Sequence, residues 1–130
     1  KLMVNVATGA LSAVTGLTYG EMYQIKAIEA VAVEAVKEAM AVAAASGVAL
    51  SIQNPIDAWT KAAAGLPYDF KASMLQSLEK GSVTEVDFIS GAVVRGGLKT
   101  GVPTPVNTTL VACVKGVERA MILRTRGNLK

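Results

Sequence analysis

The sequence contains no histidine and only one cysteine, Cys113. Without histidine, catalytic triads that depend on an imidazole base are excluded, and a zinc site of the usual type lacks its ligands. A single cysteine excludes an internal disulfide and is typical of a reducing compartment. Because Cys113 stands among Leu110, Val111 and Val114, we expect a buried, unreactive thiol. We expect no metal site.

Aromatic residues and charge are also scarce, at 5% and 18% of the chain, and the net charge is +3. Basic residues gather near the C-terminus, but they do not share a segment with aromatic residues, which argues against nucleic-acid binding. Four charges interrupt the longest apolar stretch, 27–50, and argue against a membrane span: Glu29, Glu34, Lys37 and Glu38. No signal peptide opens the chain. We predict a soluble, cytoplasmic protein.

Most of the chain's hydrophobic residues are alanine and valine, and no alternating strand pattern of useful length occurs. Alanine favours helix and allows close helix packing. The 130 residues are enough for one domain, 1–130, with a real core. We therefore predict an all-α, multi-helix bundle. The chain has no initiator methionine and no capping residue before its first helical pattern, so we expect it to be a domain cut from a longer protein.

Helix signals divide the chain into segments. The clearest predicted helices run from 1 to Gly16, from Thr18 to Gly47, from Asn54 to Gly65, and from Thr104 and Pro105 toward the C-terminus. Thr18 and Glu21 have the spacing of a capping box, which opens the second helix. The charges of that helix are expected to form a solvated face. Trp59, the only tryptophan, is expected to pack between helices and not against a cofactor.

Five polar positions form one stripe on the first predicted helix, because they follow steps of four and three: Lys1, Asn5, Thr8, Ser12 and Thr15. One interpretation is an ordinary solvent-facing stripe. The other is the wall of a ligand cleft, since the stripe carries only one charge in an otherwise apolar helix. Both interpretations stay open at this point.

The most informative stretch is 73–87. Gly81 is expected to end a short helix in the left-handed conformation. Ser82 and Glu85 then have capping-box spacing, which predicts a longer helix that continues to Gly101. Ser73 and Glu85 would therefore lie on either side of a tight turn and could contact a ligand. The alternative is that Glu85 only caps its helix.

Three glycines, Gly91, Gly96 and Gly97, lie within this longer predicted helix. Each lowers helix propensity by about 1 kcal/mol relative to alanine. We expect the compensation to be the close approach of another helix or of a bound ligand.

Four segments, in order, resemble motifs of the ketopantoate reductases (2-dehydropantoate 2-reductases). They are Lys-Leu-Met-Val-Asn at 1–5, Ser-Met-Leu-Gln at 73–76, Thr-Glu-Val-Asp at 84–87 and Gly-Val-Pro-Thr-Pro-Val-Asn at 101–107. The resemblance is to the C-terminal helical domain and covers essentially the whole chain. It implies an NADPH-dependent enzyme of pantothenate (coenzyme A) biosynthesis that reduces ketopantoate to pantoate. It also implies a Rossmann-type domain before Lys1 that holds most of NADPH, without which this chain is inactive.

The resemblance also implies roles for four residues. Lys1 would be the general acid that protonates the alkoxide formed on hydride transfer. Glu85 would bind substrate and help to position the reacting groups, cofactor included. Asn5 and Ser73 would hydrogen-bond the two polar ends of the substrate.

Three positions depart from the family pattern: Gly9 replaces a second asparagine, Ser77 an acidic residue and Ser90 another asparagine. Loss of a polar partner can change substrate choice strongly, so a reductase of another 2-keto acid is one alternative. A non-catalytic helical dimerisation or interaction module, with Lys1 and Glu85 on its surface, is another. The Ala- and Gly-rich helices would also suit a homodimer. The choice between NADPH and NADH would lie with the preceding domain.

Overall fold

Seven α-helices and one 3₁₀ turn make up the computed structural model, which describes residues 2–128. The helices are α1 (Leu2–Thr15), α2 (Tyr19–Met22), α3 (Lys26–Ala45), α4 (Pro55–Ala63), α5 (Ser73–Glu79), α6 (Ser90–Thr100) and α7 (Pro105–Asn128), and the 3₁₀ turn is Val86–Phe88. Residues 2–128 contain no β-strand. The all-α prediction is confirmed.

Helix α1 lies at the centre of the bundle, where it packs against α3, α4, α5 and α7. The contact surfaces are built from small side chains, and Ala7 and Ala10 of α1 and Ala32 and Ala35 of α3 are fully buried. Small residues let helix backbones approach closely, so the alanine content that predicts helix also explains the tight packing.

The capping box of Thr18 and Glu21 forms as predicted, but it opens a helix of only four residues. The long helix α3 begins later, at Lys26, so the prediction of one continuous helix from Thr18 is wrong. The chain bends at Tyr23, whose ring stacks on Trp59 with 3.7 Å between ring centroids. The Tyr23 hydroxyl also donates to the Trp59 carbonyl. Trp59 is buried and packs between helices, as expected.

The start of α7 is capped by a side chain from another helix. The Glu38 carboxylate of α3 accepts hydrogen bonds from the amides of Val106, at 2.8 Å, and Asn107, at 2.9 Å. The Asn107 side chain donates to Glu38 and to the Ala35 carbonyl. Glu38 is half-buried and not part of a solvated face. Its carboxylate caps α7 in place of Thr104, the residue just before that helix, which would be the expected N-cap. A negative charge at a helix N-terminus is favoured by the helix dipole.

The polar stripe of α1 is split by the fold. Thr8 and Ser12 are buried, whereas Asn5 and Thr15 are exposed. The Thr8 hydroxyl lies 3.1 Å from the hydroxyl of Tyr19, and the Ser12 hydroxyl donates to the Gly9 carbonyl at 2.7 Å. The middle of the stripe is thus neither a solvated face nor a cleft wall, because local and core hydrogen bonds satisfy its hydroxyls. Lys1 lies outside the described residues.

Cys113 is exposed, so the prediction of a buried thiol is wrong. Leu110 and Val114 are buried on α7, and helical geometry turns the position just before Val114 outward. The helices described between 2 and 128 are all too short or too polar to cross a membrane. The same residues bring no three metal-ligating side chains together.

A Cβ atom would meet a close neighbour at each of the three glycines in α6, and the closest contacts are at Gly96 and Gly97. A Cβ atom on Gly96 would lie 2.5 Å from Cγ1 of Val42 in α3. A Cβ atom on Gly97 would lie 2.6 Å from the Val102 carbonyl oxygen and 2.7 Å from Cγ2 of Thr104. The expectation that another helix approaches closely is confirmed at Gly96, whereas Gly97 is approached by the loop that follows α6 and not by a helix.

We predict that Gly97→Ala destabilises the chain by about 1–3 kcal/mol, because the added methyl group must displace backbone. Gly116→Ala is the matched control. A Cβ atom on Gly116, inside α7, meets no atom within 4 Å, so this variant should gain about 0.5–1 kcal/mol from helix propensity. Urea unfolding followed by circular dichroism measures both. Equal stability of Gly97→Ala and the unmodified chain would contradict the packing described above.

Candidate functional site

The turn after α5 is closed by Gly81. Its φ of +78° is in the left-handed region, and the Ser82 amide donates to the Ser77 carbonyl at 2.9 Å, so the helix ends where the sequence predicts. The following segment differs from the prediction. It forms the 3₁₀ turn Val86–Phe88, and α6 begins only at Ser90. The prediction of a capping box formed by Ser82 and Glu85 is therefore wrong.

Glu85 makes a different contact, with Ser73. The Ser73 hydroxyl donates to Oε1 of Glu85 at 2.8 Å, across twelve residues of sequence. Ser73 is exposed and Glu85 is half-buried. The structure thus brings together the two residues that the sequence placed on either side of the turn. A carboxylate held at the surface by a hydroxyl can accept hydrogen bonds from hydroxyl, amide or ammonium groups of a ligand.

The segment that carries Glu85 is fastened to α7 at two points. Oε2 of Glu118 accepts from the Thr84 amide at 2.8 Å and from the Thr84 hydroxyl at 2.7 Å. The Lys115 ammonium donates to Oδ2 of Asp87 at 2.7 Å. That hydrogen bond raises the pKa of Lys115. Sequence reasoning missed Glu118 and Lys115, since the only signal was their spacing of three on one helix face.

Asn5 lies on the part of α1 that faces α5. Gly9 follows one turn later, and a Cβ atom there would lie 3.0 Å from Cε of Met74, the neighbour of Ser73. Residues four apart share a helix face, so Asn5, which is exposed, lies on the same side of α1. Lys1, four residues before Asn5, falls outside the described residues. The structure therefore joins Ser73 to Glu85 and places Asn5 on the side of α1 that faces α5, the helix of Ser73.

Ser77 and Ser90, the two other positions that depart from the family pattern, have different surroundings. Ser77 is half-buried on α5. Ser90 is fully buried, and its hydroxyl has no hydrogen-bond partner among the described residues. Ser90 therefore faces the interior, where an asparagine would need space and partners of its own.

A separate apolar groove of about 420 Å³ lies between α1, α3 and α6. Leu2, Val42 and Gly96 are among its lining residues, and the lining includes neither Ser73 nor Glu85. Its lining has no charged side chain. The groove is therefore distinct from the Ser73–Glu85 pair and adds no reactive group to it.

Comparison with known proteins identifies the family. The family model described as the C-terminal part of the ketopantoate reductases PanE/ApbA matches residues 1–118. The 2-dehydropantoate 2-reductase of Archaeoglobus fulgidus is 32% identical over 121 residues, which are 93% of this chain and 40% of that protein.

Solved structures have the same fold. A PanE/ApbA family ketopantoate reductase from Ralstonia eutropha gives a TM-score of 0.84 at 36% identity, over 93% of this chain and 40% of that one. The ternary structure of D-mandelate dehydrogenase with NADH and anilino(oxo)acetate also gives 0.84, at 25% identity, over 93% of this chain and 67% of that one.

The chain spans about 40% of the length of the curated relatives that it matches. The family model nevertheless covers most of the 130 residues, and the relatives confirm the resemblance seen in the four sequence motifs. The chain belongs to the ketopantoate reductase family and corresponds to the C-terminal domain of its members.

Proposed function

We propose that this chain is the substrate-side domain of an NADPH-dependent reductase that converts 2-dehydropantoate to pantoate in pantothenate biosynthesis. The observation that carries the proposal is the 2.8 Å hydrogen bond between Ser73 and Glu85, which joins two of the four family motifs at the surface. The names of the relatives, 2-dehydropantoate 2-reductase, support the same reaction.

The cofactor requires a second domain. Dinucleotide pyrophosphates are held where a strand turns into a helix, and residues 2–128 form no strand. We infer that an N-terminal Rossmann-type domain of the same protein holds NADPH, which supplies the hydride when bound. From this chain, Glu85 would contact the reactive end of the cofactor, since its carboxylate fits hydroxyl and amide donors.

The residues of this chain would bind substrate and move a proton. The Lys1 ammonium would stabilise and protonate the oxygen of the reduced carbonyl group. Asn5 and Ser73 would hydrogen-bond the hydroxyl and carboxylate ends of the substrate, and Glu85 would hold substrate and Lys1 in place. The orientation of Asn5 toward α5 and the contact of Ser73 with Glu85 support this arrangement.

Another 2-keto acid is the second candidate substrate, and the surroundings of Gly9 favour it. The better-known family members carry an asparagine there, whereas Gly9 has no side chain that could hydrogen-bond a substrate, and the Met74 side chain lies against it. A substrate with a less polar group at this point would fit better. An exposed thiol at Cys113 is consistent with a reducing compartment, and we propose the cytoplasm. The homodimer stays a prediction.

The test is NADPH oxidation by the full-length protein with 2-dehydropantoate, beside other branched 2-keto acids and with NADH in parallel. Rapid turnover of 2-dehydropantoate supports the first candidate. Turnover of another keto acid alone supports the second. No turnover of any of them, and no NADPH binding, would overturn the enzyme proposal in favour of a helical interaction module.

A further inference from the structure

We propose that Glu118 is a positioning residue that acts through Thr84 to set the place of the Glu85 carboxylate. The inference rests on the proposed function, because it concerns the same site. It assigns a role to a residue outside the four family motifs, on a helix that contributes none of the proposed substrate contacts.

The first argument is burial. Glu118 is only 7% exposed, and a buried carboxylate is costly unless hydrogen bonds compensate for its lost water. Both bonds that reach its Oε2 atom come from Thr84, from the amide and from the hydroxyl. A buried acceptor with two donors on one residue fixes that residue closely in both position and orientation.

The second argument is the path from Thr84 to the site. The Thr84 hydroxyl donates to Glu118 and also accepts from the Val86 amide at 3.2 Å. Thr84 therefore fixes the backbone on both sides of Glu85. Glu85 itself precedes the 3₁₀ turn with φ −88° and ψ 24°, and its carbonyl accepts from the Phe88 amide at 2.9 Å. Its side chain makes no cap, so the hydrogen bonds of that turn hold the Glu85 backbone and not its carboxylate.

The third argument is that each residue of the motif Thr84–Asp87 makes a different contact. Val86 is fully buried in the core, Thr84 and Asp87 bond to α7, and only Glu85 bonds to Ser73. The Asp87–Lys115 pair is about half exposed on both sides, and exposed ion pairs contribute little. Glu118 is therefore the stronger of the two anchors.

The experiment compares Glu118→Ala and Glu118→Gln in the full-length enzyme, each alone and combined with Glu85→Gln. Glutamine keeps an oxygen that can accept both Thr84 bonds, so we expect it to retain kcat/KM within about threefold, whereas alanine lowers kcat/KM by about tenfold or more. In the Glu85→Gln background the alanine effect should shrink below about twofold, because the carboxylate charge that Glu118 positions is already removed. Leu110→Ala removes a core side chain two turns earlier on α7 and controls for loss of stability. It should lower kcat/KM by the same factor with and without Glu85→Gln.

Equal losses from Glu118→Ala in the two backgrounds would overturn the positioning role while leaving the reductase proposal intact. Amide hydrogen exchange tests the anchor without reference to activity. Relative to the exchange rate of the whole chain, exchange at the Thr84 and Val86 amides should rise at least about tenfold in Glu118→Ala. In Leu110→Ala this relative rate should stay unchanged. Unchanged exchange would also overturn the inference. If Glu118→Ala fails to fold, Thr84→Val removes only the hydroxyl bonds and should show the same dependence on Glu85. An unmodified enzyme without turnover would instead refute the proposed function.

Discussion

Replacing Lys1 with alanine in the full-length enzyme should lower kcat by about 10²- to 10⁴-fold, the usual contribution of a positioned general acid. The reason is that the carbonyl oxygen gains a full negative charge as hydride arrives at carbon. In the proposed mechanism the Lys1 ammonium is the cation and the proton donor for that charge, and alanine supplies neither. We expect KM to change much less than kcat, because the lost interaction is made mainly in the transition state. Steady-state NADPH oxidation gives both constants.

Lys1→Arg is the matched control for charge. Arginine keeps the positive charge but does not release a proton at accessible pH, so kcat should recover only in part. Lys80→Ala controls for loss of a surface cation, since Lys80 is exposed at the C-terminal end of α5. Full activity of Lys1→Ala would refute the acid role, and a loss confined to KM would reassign Lys1 to substrate binding.

Replacing Glu85 with glutamine should lower kcat/KM by about 10- to 100-fold, which corresponds to the loss of one hydrogen bond to a charged group. The side chain keeps its shape, but the neutral amide is a weaker acceptor for Ser73 and for the ligand. Ser73→Ala should have a smaller effect, about 2- to 10-fold, since it removes a neutral donor. The double variant should fall short of the product of the two single effects, because the two side chains are in direct contact.

Glu79→Gln is the control for this pair. Glu79 is an exposed carboxylate at the C-terminal end of α5, the helix that begins at Ser73, and it accepts from the Lys71 ammonium. Its replacement should change kcat/KM by less than about twofold. Independent, fully multiplicative effects of Ser73→Ala and Glu85→Gln would show that their hydrogen bond has no part in catalysis.

Local signals in the sequence predicted the ends of helices better than their continuity. Gly81 ends α5, and the capping box of Thr18 and Glu21 forms, because both features depend on residues within one turn. The helix predicted beyond Glu21 is interrupted after Met22, where Tyr23 stacks on Trp59, a residue 36 positions away in the sequence. Tertiary contacts of this kind override local propensity.

The contacts of the candidate site could be predicted only where they join residues close together in the sequence. Ser73 and Glu85 could be paired because only a short helix and a tight turn separate them. Their support on α7 could not be predicted, since Glu118 meets Thr84 across 34 residues of sequence. The prediction that Glu85 caps its own helix is also wrong, since α6 begins only at Ser90 and the Glu85 carboxylate accepts from the Ser73 hydroxyl.

The cap that Glu38 provides for α7 has a consequence for the order of folding. A helix whose first amides are capped by adjacent residues of the chain can nucleate early. The first turn of α7 is instead capped by Glu38, a carboxylate 68 positions earlier in the chain. Closing so long a loop costs entropy before the contact is gained. The start of α7 should therefore become ordered late, together with its docking on α3. A peptide that contains α7 alone should fray at Pro105–Asn107, while the same segment is held firmly in the assembled bundle.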